Sequence, residues 1–276
     1  MICFHVNGGL GNQMFIYAFA QEMKRQRKTY CLSRIGKLNY FTLNPGERWL
    51  NLFKFIFFKI LEKIFRLGNH HHLKDQTKIH YEFVNRLKGL TVLDGYFQSE
   101  DYFREAADQV RRNFSLTRQS VLKFEKVIGT EFRNKKVLAI HIRRTDYHNA
   151  FQNLGIGTGS FALPVSYYQN ALRLIQDLHS YQVIFISDDI EFAKANFPEL
   201  KQAIFSNHEE IVDLQILMNA DALILANSSF SWWGAWLNHK PTKKIFVPKY
   251  YLGYKIQKTF PANIIPAGWT EVAVSE

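Results

Sequence analysis

Short apolar runs alternate with amphipathic stretches along most of this chain, and beyond about residue 136 the alternation is regular. Residues 137–142, 182–187 and 222–226 are nearly unbroken aliphatic and β-branched runs, the pattern of strands buried on both faces. Between them lie helix-period stretches at about 165–178, beginning just after Pro164, near 190–196 and at about 209–219. A short strand is predicted at 203–205, and another at 244–247 closes the series. Strands and helices alternating at this spacing predict a parallel sheet with helices on both faces.

The first half is less regular. A strand is predicted over 2–6 and a helix over about 13–27, with Phe15, Ala18, Phe19 and Met23 at helical spacing. A second strand is predicted over 92–97. Ser99 then caps a helix that opens with Glu100 and Asp101, acidic residues favoured by the macrodipole there. A further helix over about 121–132 runs through the basic link Arg133, Asn134, Lys135 and Lys136 into the regular half. A domain boundary near 130 follows, dividing the chain into 1–130 and 131–276.

The stretch 51–66 is mostly Phe, Ile and Leu, with Lys59, Glu62, Lys63 and Arg66 gathered in one helical sector. Its wide apolar face suits packing on a core, the commoner use of such a pattern. It also suits an anionic membrane surface, with Lys54, Lys59, Lys63 and Arg66 reaching the headgroups. His70, His71 and His72 follow a glycine and read as a loop, with no spaced carboxylate or cysteine to complete a metal set.

Composition narrows the classes. Hydrophobic residues make up 47% of 276 and aromatics 15%, so wholesale disorder is excluded. The formal charge of +11 favours an anionic ligand or surface, without choosing among nucleic acid, lipid and nucleotide-linked substrates. The basic residues are dispersed and carry no RNA-binding signature, so a nucleic-acid-binding protein is only the competing class. Cys3 and Cys31 form no CxxC and no disulfide framework, and Cys3, inside an apolar run, predicts a reduced, buried thiol in a cytoplasmic protein. No uncharged run approaches the roughly 18 apolar residues of a membrane span, and the N-terminus lacks the features of a secretory signal.

The candidate chemistry sits at strand ends, where ligands bind in sheets of this kind. One strand stops at Arg143, Arg144 and Asp146, the next at Ser187, Asp188 and Asp189, and a third at Asn227, Ser228, Ser229, Phe230 and Ser231. The arginine fork matches diphosphate oxygens. The serines would open a helix N-terminus, and Asp188 would accept hydrogen bonds from a donor-rich nucleobase, guanine being the best match. A structural Arg–Asp pair and ordinary helix capping would explain the same residues if the strand order scattered these ends. Near the N-terminus, Gly8, Gly9 and Gly11 form a strand–glycine turn–helix arrangement that presents backbone N–H groups to an anion, with Asn12 and Gln13 as amides beside it. The sequence contains no Asp-x-Asp, the usual carboxylate arrangement for a divalent ion on a nucleotide sugar, so a metal-independent site without a cofactor is expected.

Three segments together resemble the bacterial and animal α-1,2-fucosyltransferases, glycosyltransferase family 11. They are Gly8-Gly9-Leu10-Gly11-Asn12-Gln13-Met14, then His141-x-Arg143-Arg144-x-Asp146-Tyr147, then Ser228-Ser229-Phe230-Ser231-Trp232-Trp233-Gly234-Ala235-Trp236. Leu93-Asp94-Gly95-Tyr96-Phe97-Gln98-Ser99 is also similar. The resemblance implies an α/β GT-B fold of two Rossmann-like domains, with an acceptor-side domain first and a GDP-sugar-binding domain second. It implies GDP-β-L-fucose as donor, a galactose-containing glycan as acceptor and inversion at the anomeric carbon. It places Gly9, Gly11, His141, Arg143, Arg144, Asp188, Ser228, Ser229 and Phe230 at the donor, and Arg143, Asp146 and Asn12 at the chemistry. Asp146 stands either as base or as structural partner of Arg144, with His148 the alternative base and a base-free reaction through an oxocarbenium-like state the third course. The animal members' N-terminal anchor is missing from this sequence, which implies a soluble enzyme or one held peripherally at a membrane.

Overall fold

The computed structural model describes residues 1–43, 47–65, 69–72, 89–151 and 154–275. These form two compact units, one of Met1–Thr117 with Pro261–Ile264, the other of Arg118–Phe260 with Ile265–Glu276.

The first unit holds β1 (Ile2–Phe4), α1 (Leu10–Arg25), β2 (Tyr30–Leu32), α2 (Glu47–Phe65), β3 (Asn69–His72), β4 (Thr91–Asp94) and α3 (Ala107–Asn113). Its four strands are parallel, in the order β2-β1-β4-β3. Successive residues of β1 face opposite ways. Phe4 meets Phe19 of α1 edge-on at 5.5 Å, while Cys3 joins Cys31 and Phe58 of α2 in a second cluster. Both cysteines are free; Cys3 is buried as expected, and so is Cys31. Two expectations change here. His70, His71 and His72, read as a loop, belong to β3 and pair with β4. Ser99 does cap, accepting from the Asp101 N–H, but it opens a short 3-10 turn, and α3 begins only at Ala107.

The second unit holds α4 (Arg118–Val127), α5 (Glu131–Asn134), β5 (Lys136–Ile142), α6 (Val165–Arg173), β6 (Tyr181–Ser187), α7 (Ile190–Asn196), β7 (Ile204–Ser206), α8 (Glu210–Asn219), β8 (Ala222–Ile224), α9 (Ser229–Leu237), β9 (Lys244–Pro248) and β10 (Thr270–Val272). The sheet is wholly parallel, in the order β10-β9-β8-β5-β6-β7. The chain therefore steps outward from β5 through β6 to β7, then returns to the other side of β5 and continues through β8. This is the doubly wound arrangement, and its reversal lies between β5 and β8.

The boundary falls at 117/118 and not near 130, because α4 belongs to the second core. Phe124 and Ile128 are buried with Val212, Ile216 and Leu217 of α8, and Gln215 donates to the Ser120 carbonyl at 2.9 Å. Fully burying each such aliphatic or aromatic side chain contributes about 1.5–3 kcal/mol, enough to decide which unit a ten-residue helix joins.

Candidate active site

β8, β5 and β6 are neighbours in the sheet, so the three polar strand ends lie side by side at the reversal point. The loop after β5 is the centre. Arg143 donates through Nε and Nη2 to the two oxygens of Asp146, at 2.8 and 2.9 Å. Its Nε also lies 3.4 Å from Asp188. Burial opposes the charge on Arg143, but the hydrogen bonds to Asp146 and the field of Asp188 outweigh it and raise its pKa above the ordinary value. The Nη1 edge of the fork has no partner among the described residues, and the side chain is half-buried.

Arg144 points elsewhere. Its guanidinium lies 3.5 Å from the ring centroid of Phe192 in α7, with Nε 3.4 Å from Asp189. Asp189 also caps α7, accepting from the Phe192 N–H at 3.0 Å. Asp146 is thus the partner of Arg143 and not of Arg144, and Arg144 fastens the loop to α7.

Asp188, expected to face a nucleobase, is engaged by the β5 loop. Its Oδ1 accepts from the Arg144 N–H at 2.9 Å, and its Oδ2 accepts from the N–H of Thr145 at 3.0 Å and from the Thr145 hydroxyl. Burial works against ionisation, but the Thr145 hydroxyl, the two N–H groups and Arg143 hold its pKa below the ordinary aspartate value. With both oxygens committed, this carboxylate shapes the loop that carries Arg143. Thr145 and Phe192 went unnoticed in the sequence. Thr145 had a signal, since it lies inside the arginine motif, whereas Phe192 is one aromatic among many.

On the other side of β5, Ser228 is the cap of α9 and accepts from the Phe230 N–H at 3.4 Å. Ser231 donates back to the Ser228 carbonyl at 3.2 Å. The loop after β5 is tied to this turn by the Tyr147 hydroxyl, which donates to the Asn227 carbonyl at 3.1 Å. Asn227 in turn donates to the Phe161 carbonyl at 3.0 Å. Phe230 lies beside His141, with ring centroids 5.6 Å apart. His141 is buried in β5, and its Nδ1 has no hydrogen-bond partner among the described residues. Burial first, and then the charge of Arg143, depress its pKa to about 3, so it is neutral at physiological pH. His148 is exposed, with its Nδ1 3.0 Å from the Ser160 hydroxyl.

The remaining predicted residues belong to the first unit. Gly8 adopts φ +74°, a left-handed conformation natural only to glycine, and a Cβ there would meet Asn12 Nδ2 at 2.7 Å. Gly9 caps α1 and is exposed, while Gly11 is buried within the first turn. Gln13 is a structural clasp: buried, it donates to the Gly8 carbonyl at 2.8 Å and accepts from the Lys37 N–H at 2.9 Å. Asn12 is half-buried, and its Oδ1 accepts from Gln98 at 2.8 Å, which links the first motif to the segment around Tyr96. The same unit has a cavity of about 600 Å³ that sequence reasoning missed. Its walls include Cys3, Phe55, Phe58 and Val92, with His5, Arg34, Lys59, Glu62 and Asp94 as charged or titratable groups. His5 follows β1 and Asp94 ends β4, and the two lie 3.4 Å apart at the point where this sheet's strand order also reverses. Among the described residues no cluster of three His, Cys, Asp or Glu suits a metal ion.

Comparison with known proteins agrees with this architecture. A fucosyltransferase, NodZ, from Bradyrhizobium shares the fold at a TM-score of 0.50 and 13% identity, over 84% of this chain and 91% of that one. The α-1,2-colitosyltransferase of Escherichia coli is 30% identical, over 84% of this chain and 86% of its own length. The O-antigen biosynthesis glycosyltransferase WbnK, also of E. coli, is 29% identical over 88% and 92%. The model of glycosyl transferase family 11 matches residues 64–271, three quarters of the molecule including all of the β5 and α9 motifs, and the chain belongs to that family.

Proposed function

We propose that this glycosyltransferase moves L-fucose from GDP-β-L-fucose to the 2-hydroxyl of a galactoside, with inversion at the anomeric carbon. The observation that carries the reading is the meeting of the Arg143 loop and the Ser228 helix start at the reversal point of a doubly wound sheet. A nucleoside diphosphate placed there meets the open edge of a guanidinium and the first N–H groups of α9, whose dipole favours negative charge.

In the proposed reaction the oxygen of the galactose 2-hydroxyl forms a bond to C1 of fucose as the bond from C1 to the diphosphate breaks on the opposite face, and the hydroxyl proton leaves to solvent water. The negative charge that grows on the leaving diphosphate falls on Arg143, so the arginine is assigned the electrophilic role that a metal fills elsewhere. Asp146 holds the fork through both of its oxygens, a role that fits an orienting partner better than a base. Asn12 and the Gly9–Gly11 turn are assigned to the acceptor-side unit of a GT-B arrangement. Two buried, free cysteines fit a reducing, cytoplasmic setting.

The test is a calorimetric titration of GDP and UDP onto wild type and Arg143→Lys, all in excess EDTA. The expected result is GDP binding in EDTA that exceeds UDP binding and weakens about tenfold or more in the variant, since lysine cannot copy the fork. Unchanged affinity in Arg143→Lys would remove the arginine from the diphosphate. Binding that vanishes in EDTA and returns with magnesium or manganese would replace this account with a metal-dependent one.

A further inference from the structure

The apolar face of α2 carries information that fucosyl transfer does not use. The helix is fastened to the sheet by a narrow stripe. Asn51 brackets the backbone of Leu32, donating to its carbonyl at 3.0 Å and accepting from its N–H at 2.7 Å, and Phe58 is buried against Cys3 and Cys31. Most of the apolar residues point the other way. Among the described residues, eight of the thirteen exposed large hydrophobic side chains lie on this one helix, with Trp49 71% and Phe53 65% exposed. The packing on a core that the sequence favours is therefore met by the inner stripe alone.

At 100° per residue, Leu52, Ile56, Trp49, Ile60, Phe53, Ile64, Phe57 and Leu50 fill one continuous outward arc of about 160°. Lysines border it on both sides. Lys59 stands just outside one margin and Lys63 just inside it, between Leu52 and Ile56, with Lys54 beyond the other margin, where its Nζ lies 5.4 Å from the ring centroid of Tyr30. No carboxylate occurs between residues 48 and 61, and Glu62 sits toward the inner stripe, paired with Lys59. Arg66 lies outside the described residues. No described helix is long and apolar enough to cross a membrane.

We infer that α2 is an interfacial helix that seats the protein on an anionic lipid bilayer. An apolar arc flanked by cations on both margins matches a surface with a hydrocarbon interior beneath anionic headgroups: the ring and aliphatic groups enter, and the lysine stems reach back to the charge. A 19-residue helix lying flat spans about 28 Å, so the whole ridge can engage at once. The molecule's excess of 11 positive charges acts in the same direction. A second copy of the chain is a poorer occupant, because self-pairing of this face would bring its own lysine margins together.

The experiment is co-sedimentation of the full chain with vesicles of phosphatidylcholine alone, or mixed with phosphatidylglycerol at one part in three. It is run for wild type, for Phe53→Ser with Ile60→Ser, and for Lys54→Gln with Lys63→Gln, beside melting curves and sedimentation velocity without lipid. The inference expects strong binding to the anionic vesicles alone, with a blue shift of Trp49 emission that is absent in Trp49→Phe. The lysine pair should weaken binding about twenty-five-fold, at roughly fivefold per cation. The serine pair should abolish it with the melting temperature unchanged, because both side chains are exposed. Failure of wild type to bind, or equal binding to both vesicle types, would overturn the inference. So would a lipid-free dimer that the serine pair dissolves. These readouts need no donor or acceptor, so they stand or fall separately from the proposed reaction.

Discussion

Asp188 carries two readings, a nucleobase acceptor from its place in the sequence and an anchor of the Arg143 loop from its hydrogen bonds. Its position at a strand end beside the arginines suits a nucleobase acceptor, yet its oxygens are taken by Arg144 and Thr145. Asp188→Ala should therefore loosen the Arg143 loop, weaken GDP, UDP and inorganic pyrophosphate by similar factors of about ten or more, and lower the melting temperature. Competition binding checks this, and a loss confined to GDP would return the residue to the nucleobase. His141 leads to a pH prediction. Its folded pKa near 3 lies below the ordinary histidine value near 6.5, so below pH 6.5 the unfolded chain takes up a proton that the folded chain refuses. Its contribution to stability is intact above that pH and is lost as pH falls toward 3, by up to about 1.4 kcal/mol per pH unit. Denaturant midpoints between pH 7 and 4 should fall less steeply in His141→Asn than in wild type; parallel slopes would mean that the histidine is charged in the fold.

At the scale of elements, α9 is held so close to α8 that its sixth residue has to be glycine. A Cβ on Gly234 would lie 2.4 Å from Cβ of Leu217, a distance that real side chains do not adopt. Gly234→Ala should cost about 1–3 kcal/mol by overpacking, visible as a lower melting temperature. Because the same shift would move Ser228 at the helix start, donor affinity should fall with it. An unchanged melting temperature would show that the two helices can separate freely. The helices and strands of the second unit were legible because long apolar runs alternate cleanly with helix-period stretches; the helix expected near 190–196 is α7. What escaped was short or lightly patterned. β2 is three residues with no periodicity to read, and β10 is another. The residues at 69–72 are polar, yet form a strand because β4 offers an edge to pair with, a tertiary cause absent from local sequence. The candidate site followed the same division. The motif residues were found, but their partners were not, since pairing Arg143 with Asp146 and Arg144 with Phe192 depends on which way each guanidinium leaves the end of β5.

For the whole molecule, two compact units, each with parallel strands, divide the chain, and each has polar residues gathered where its own strand order reverses. In the second unit those residues suit a diphosphate. In the first, the cavity beside His5 and Asp94 offers the mixture of donors, acceptors and apolar walls that suits a hydroxyl-rich ligand. Family membership fixes glycosyl transfer, and the relatives differ in the sugar named for them, fucose in one and colitose in another. The most direct measurement is therefore product analysis after incubation with GDP-β-L-fucose, GDP-colitose and a galactoside such as lactose, with the new linkage read by NMR. The account predicts that fucose is transferred in preference, as the α-anomer, to the galactose 2-hydroxyl. Transfer from GDP-colitose alone, retention of the β configuration, or attachment at another hydroxyl would contradict it.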